Sequence, residues 1–228
     1  MKNLDIASTF LKFGDFQRKG HMEKELDPRQ ITRIDKSNSI YLTFDLCPSH
    51  GLDLKVMKWL NDNKAGATFF VNVSWLNTNK DADLSLLTNP RFTIGGHGFK
   101  HVDTLKQSNA QQALDIHMCY DELTKRITEP IKWYRVPFGH PTETTFKELN
   151  KLGLKCASWS GPVLDREVKE ISQKNEKEYQ TFFDLSLRSG DLLILHANGT
   201  GIDTLEILEQ LKKIAEERGY TFDKLPNV

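Results

Sequence analysis

IYLTFDLCPSH, residues 40–50, is a run of aliphatic, aromatic and β-branched residues that ends in a carboxylate and then breaks into a polar turn. Such side chains fit a pleated surface covered on both faces, so Ile40 to Asp45 reads as a buried strand with Asp45 at its tip. A strand that terminates in a lone acid presents it at the mouth of the sheet. The plainer assignment makes Asp45 the cap of a helix beginning near Leu52, and taken alone the stretch favours that assignment.

Working outward, apolar periodicity predicts a helix over about Asp53–Asn63, with Leu54, Met57 and Leu60 on one face, and a strand at Ala67–Val71. A short helix near Leu84 and a strand at Arg91–Ile94 follow. Next come a helix over Asn109–Ile127, a strand at Ile131–Arg135, a helix over Glu143–Leu152 and a strand at Leu154–Ser158. A helix over Glu176–Arg188, the apolar strand DLLILH at 191–196 and a helix over Thr204–Arg218 complete the series. Strands alternating with helices imply parallel pairing and right-handed crossovers, in an open doubly wound sheet or a closed β/α barrel. Residues 1–38 are polar and mixed, and read as an N-terminal extension ahead of one domain at 39–228.

The 228 residues carry 31 Lys plus Arg against 31 Asp plus Glu, so no net field steers the chain toward nucleic acid or an anionic membrane. No apolar run approaches the ~18 residues of a membrane span. The opening segment, interrupted by Asp5 and Lys12, lacks a signal-peptide core. As written the chain reads as soluble and untargeted, and a leader removed earlier would leave the same picture. Three widely spaced cysteines fit neither a disulfide framework nor a C-x-x-C zinc site. Oligomeric state is not legible.

In both candidate architectures ligands bind where the strands end. Asp45 stands past the first strand, His97 and His101 past the third, Arg135 to Gly139 past the fourth, Trp159 and Asp165 past the fifth, and His196 past the last. GGHGFKH at 95–101 holds an H-x-x-x-H pair, a spacing used for zinc and also produced by solvated loop histidines. Arg135, followed by Pro137 and Gly139, fits either a carboxylate partner or an ordinary turn. Asp165 has the chemistry to orient His196, and Trp159 walls a pocket or fills core.

Taken together, TFD, H-x-x-x-H, R-x-P-F-G, a tryptophan with a later aspartate, and L-x-L-H appear in an order that resembles the polysaccharide deacetylases. These are carbohydrate esterases with a NodB homology domain, and the likeness runs from about Ile40 to the C-terminus. The resemblance implies a distorted (β/α) barrel that removes acetyl groups from N-acetylated, or O-acetylated, sugars of a polymer such as peptidoglycan or chitin. It casts Asp45 as the base, Arg135 as its partner, and His97 and His101 as metal ligands. It implies that Phe138 lies in the oxyanion loop, Trp159 against the substrate and Leu195 in the acetyl pocket, with His196 as the acid and Asp165 as its partner.

The chain departs from the family pattern where TFDLCP stands for TFDDGP: Leu46 occupies the position of the third metal ligand, and Cys47 that of a glycine. Gly98 replaces a serine or threonine, and Pro162 and Arg166 depart from the D-x-x-D-W block. Three repairs are open: Asp45 as third ligand, a ligand from Cys47, His50 or Asp53, or a metal-free site. The expectation is a divalent ion, zinc by preference, on Asp45, His97 and His101. The competing activities are hydrolysis of a cyclic amide or imide, and carbohydrate binding without turnover.

Overall fold

The computed structural model describes residues 27–35, 38–48, 53–79, 89–160, 187–197 and 204–227. Its centre is β2 (Ser39–Leu46), with β3 (Ala67–Val71) on one side and β7 (Leu192–Leu195) on the other, both parallel. The path continues from β3 through β4 (Phe92–Gly96), β5 (Trp133–Tyr134) and β6 (Lys155–Ala157) to β1 (Gln30–Ile31). β8 (Thr221–Asp223) pairs with the start of β2 and completes an eight-stranded sheet. All the pairings between the described strands are parallel.

The two ends of this path meet. Arg33, just past β1, forms an antiparallel bridge with Asp191, just before β7. Ile34 N–H donates to the Gly190 carbonyl at 2.9 Å, and Leu192 N–H donates to the Thr32 carbonyl at 3.2 Å. The curled parallel sheet with alternating helices is the distorted barrel expected from the sequence. Residues 30–34 thus take part in the sheet, although they lie in the stretch read as an extension.

The α-helices among the described residues are α1 (Leu54–Asp62), α2 (Val73–Thr78), α3 (Asn109–Arg126), α4 (Glu143–Lys151) and α5 (Thr204–Arg218). α1 is capped by Asp53, whose carboxylate accepts from Lys55 N–H at 2.8 Å. That settles the cap: it is Asp53, and Asp45 lies inside the sheet. The strand expected at 131–135 contracts to Trp133–Tyr134, between Pro130 and Pro137, which lack the amide a ladder needs. The helix expected near Leu84 lies outside the described residues, as does the one at 176–188 except for Leu187 and Arg188. No described helix is long and apolar enough to cross a membrane.

The pleat of β2 divides its side chains between two layers. Ile40, Leu42, Phe44 and Leu46 pack into the helix-side core with Val56, Met57 and Leu60 of α1 and Leu208 and Leu211 of α5. Tyr41 joins Phe70, Trp133, Ala157, Leu192 and Leu225 in the inner cluster. Thr43 and Asp45 follow Tyr41 on that inner face, because successive strand residues alternate sides. Fully burying a side chain such as Leu46 stabilises the fold by about 2–3 kcal/mol.

Candidate active site

Asp45 and Arg135 form the buried centre of the rim. Arg135 Nη1 donates to Asp45 Oδ1 at 2.8 Å, and Nη2 donates to Thr43 Oγ1 and to the Ser158 carbonyl, both at 2.8 Å. The guanidinium lies over the Phe70 ring at 4.2 Å and 5.7 Å from that of Trp159. Its Nε is buried and has no hydrogen-bond partner among the described residues. The ion pair is almost fully sealed, at 1% and 6% side-chain exposure, so water screens it little.

Burial alone would raise the Asp45 pKa. The charge of Arg135 and its hydrogen bond, with the nearby His97 and His196, outweigh burial and hold the carboxyl below the usual carboxylate range. Burial pushes His97 the other way, below an ordinary histidine, with Asp45 opposing. At neutral pH the pair is therefore a carboxylate beside a neutral imidazole.

His97 follows β4. Its Nδ1 lies 2.9 Å from the Arg135 carbonyl, which can only accept, so Nδ1 carries the proton and Nε2 the lone pair. That Nε2 faces Asp45 Oδ2 at 3.6 Å, too far for a hydrogen bond. Two buried lone-pair atoms facing each other at this distance fit a cation between them, since zinc bonds to nitrogen and to carboxylate oxygen are each ~2.0–2.2 Å. Asp45 and His97 thus fit a divalent ion. The His101 ring lies 5.0 Å from that of His97. Among the described residues no group of three or more His, Cys, Asp or Glu side chains stands close enough to hold a metal.

The remaining expected residues fall at or near this rim, with three exceptions. Phe138 is exposed, has a φ of 64°, and its ring lies 5.0 Å from that of His101. Trp159 is half-buried over Gly139, whose φ is +74° and where a Cβ would come within 2.5 Å of the indole. His196 is buried past β7, close enough for its charge to act on both Asp45 and His97, and its carbonyl accepts from Thr204 Oγ1 at 3.0 Å. Leu195 is the first exception, because the pleat turns it into the helix-side core. Ile194, two residues before His196, shares the histidine's face of the strand instead. Asp165 and His50 are the others, since both lie outside the described residues.

Leu46 sits one residue past Asp45 and on the opposite face, fully buried in the helix-side core. The next residue, Cys47, is buried and not disulfide-bonded. Asp53 is committed as a helix cap.

Several contributors lie outside the sequence motifs. Thr43 and Ser158 anchor Arg135, and Phe70 supports its plane. Asn72 Nδ2 donates to the carbonyls of His97 and Gly98 at 2.9 and 2.8 Å. Its buried amide directly after strand ATFFV is a signal that sequence reading could have used, since a polar residue ending an apolar run needs partners. On the lip, His140 Nδ1 pairs with Asp103 Oδ1 at 3.1 Å and ties together the loops that follow β4 and β5.

Residues 32–157 match the family model described as polysaccharide deacetylase. The peptidoglycan-N-acetylmuramic acid deacetylase PdaA of Bacillus subtilis is 27% identical over 195 residues, covering 85% of this chain and 72% of the relative. Its solved structure superposes with a TM-score of 0.68 at 24% identity, over 91% of this chain and 86% of that one. A chitooligosaccharide deacetylase of Azorhizobium caulinodans is 24% identical over 217 residues, 86% of this chain and 98% of the relative. The structure of a CE4 family pseudoenzyme from Bacillus anthracis superposes with a TM-score of 0.70 at 16% identity, over 89% of this chain and 69% of that one.

Proposed function

The chain belongs to the polysaccharide deacetylase family, and from that premise we propose that it is a working hydrolase of acetyl groups on N-acetylated sugars of a glycan such as peptidoglycan or chitin. The observation that carries this reading is the buried, ionised Asp45, held by Arg135 at 2.8 Å and faced by the His97 lone pair at 3.6 Å. A sealed ion pair of this kind is costly to maintain for stability alone, since burying two charges offsets much of their attraction. At a rim where a carboxylate must stay ionised, it has a chemical purpose.

In the proposed mechanism Asp45 removes a proton from water, and the oxygen adds to the acetyl carbonyl carbon. Its Oδ1 is occupied by Arg135, which leaves Oδ2 as the working oxygen. Negative charge then develops on the carbonyl oxygen, and the peptide N–H of Phe138 donates to it. His196 gives a proton to the sugar nitrogen as the carbon–nitrogen bond breaks, which releases acetate and a free amine. Trp159 and Phe138 offer ring faces to the sugar, and Ile194 lies beside His196 on the acetyl side. A divalent ion held by Asp45 Oδ2, His97 and His101 would engage that oxygen in place of its role as base, and would itself lower the pKa of water and supply Lewis acidity at the carbonyl oxygen.

A second reading, a carbohydrate-binding protein without turnover, is favoured by one observation, the leucine at position 46. Acetate release separates the two. The purified protein, supplied with zinc, is incubated with chitin oligomers, peptidoglycan fragments and O-acetylated glycans, and with cyclic amides in parallel. Acetate from any acetylated glycan supports the proposal. Ring-opening without acetate assigns the chain to cyclic amide hydrolysis, and glycan binding without either product assigns it to the second reading.

A further inference from the structure

We propose that Asp115 is a positioning residue for His101, acting through the backbone of the turn that joins the two rim histidines. The inference rests on the metal-assisted reading above for its consequence, and on geometry for its cause. Asp115 reaches from α3 into the turn His97–His101, where Oδ2 accepts from Phe99 N–H at 2.9 Å and Oδ1 from Lys100 N–H at 3.0 Å. One carboxylate therefore holds two successive amides, the two that immediately precede His101. Hydrogen bonds to an ionised acceptor are about twice as strong as neutral ones.

The turn needs such a hold because His101 adopts a φ of +52°, a left-handed conformation that costs energy in any residue with a Cβ. Gly98, earlier in the turn, has a φ of +76°, and a Cβ there would come within 2.9 Å of Pro137 Cγ and 3.0 Å of Asp115 Oδ2. No side chain at position 98 has room to tether the turn from within, so its restraint comes from outside. Asn72 fixes the carbonyls of His97 and Gly98, Ser74 Oγ donates to the Phe99 carbonyl at 2.7 Å, and Asp115 takes the amides. Asn72 and Ser74 hold the carbonyl side of the turn, from His97 to Phe99. Asp115 takes the N–H groups of Phe99 and Lys100, while Val73 and Ser74 N–H donate to the Gly98 and Phe99 carbonyls on the other edge of the same two peptide units. Removing Asp115 lets His101 relax to negative φ, which carries the imidazole away from the rings of His97 and Phe138.

The test uses Asp115→Asn, which keeps the side chain's volume but sets an NH2 group against one of the two amide donors, and Asp115→Ala. Zinc affinity of the metal-free full chain is measured by calorimetric titration, with circular dichroism to verify the fold and His97→Ala as the loss control. We expect both Asp115 variants to bind zinc roughly 10- to 100-fold more weakly than the wild type, the usual effect of removing a group that orients a ligand. Crystal structures of the wild type and Asp115→Asn read the cause directly, and His101 should leave positive φ in the variant. If His101 keeps its left-handed φ and its ring stays beside His97 in the variant, the inference is overturned whether or not zinc binds. Unchanged zinc affinity in the variant, with a wild type that binds, also overturns it. A wild type that binds no zinc sinks the metal-assisted reading, and the crystallographic comparison then decides the inference alone.

Discussion

Replacing Leu46 by aspartate restores the carboxylate that the family pattern has at this position, and the structure predicts that it yields an unfolded or badly destabilised chain with no gain in metal binding. Leu46 is fully buried among apolar side chains of the helix-side core, on the face of β2 opposite Asp45. Loss of its apolar bulk costs about 2–5 kcal/mol, as for other leucines cut down in a core. The new carboxyl must lie in that layer unpaired, or take up a proton there, at a further cost of about 1–3 kcal/mol or more. The sum, roughly 3–8 kcal/mol, is comparable to the whole stability of a typical domain, about 5–15 kcal/mol. Urea titrations followed by circular dichroism measure it, with Leu46→Met (below ~1.5 kcal/mol) and Leu46→Ala (~2–5 kcal/mol) setting the scale. A Leu46→Asp chain with a wild-type midpoint and tighter zinc binding would refute the placement of this side chain.

Acid stability should depend on Asp45. Its pKa in the fold is below its value of about 3.9 in the unfolded chain, so its contribution is full above that value and is lost as pH falls through the folded pKa. The urea midpoint of the wild type should therefore fall steeply below about pH 4, and Asp45→Asn should flatten that fall; equal slopes would count against the ion pair. Arg135→Gln strips Asp45 of its main counter-charge and leaves a carboxylate buried alone. The unfolding free energy should drop by about 3–5 kcal/mol, and the acidic limb of kcat/KM should move to higher pH, whereas an unmoved limb would remove Asp45 from the role of base. Gly139→Ala forces a Cβ at positive φ to within 2.5 Å of Trp159, so thermal melting should reveal a loss of about 1–3 kcal/mol; an unchanged melting temperature would mean that this contact yields freely. His196→Ala should abolish turnover while leaving glycan binding intact, and a near-normal rate would rule it out as the acid.

Sequence and structure agree best where one physical signal acts alone. Ala67–Val71 and Thr204–Arg218 are found with the bounds that apolar periodicity assigns them. The rim was legible for the same reason, because in a parallel sheet every strand delivers its last residues to one face, which brings Asp45, His97, Arg135 and His196 together from distant positions. The pleat was harder. Strands covered on both faces are apolar at every position, so LLILH and FDL do not announce which residues face inward, and Leu46 and Leu195 both proved to belong to the helix side. Asp53 and Asp45 look alike as caps until the strand's end is located. Asn72, a polar residue ending an apolar run, signals a need for partners but not which ones, and the partners of Asp115 are backbone groups 15 and 16 residues away, in contacts that no local pattern encodes.

The most direct test of the account is acetate release from chitin oligomers and peptidoglycan fragments, measured for the zinc-supplied wild type beside Asp45→Asn. The account predicts sustained acetate production by the wild type on at least one of these substrates and none by the variant. No acetate from the wild type on any acetylated glycan, or equal release by the two proteins, would contradict it.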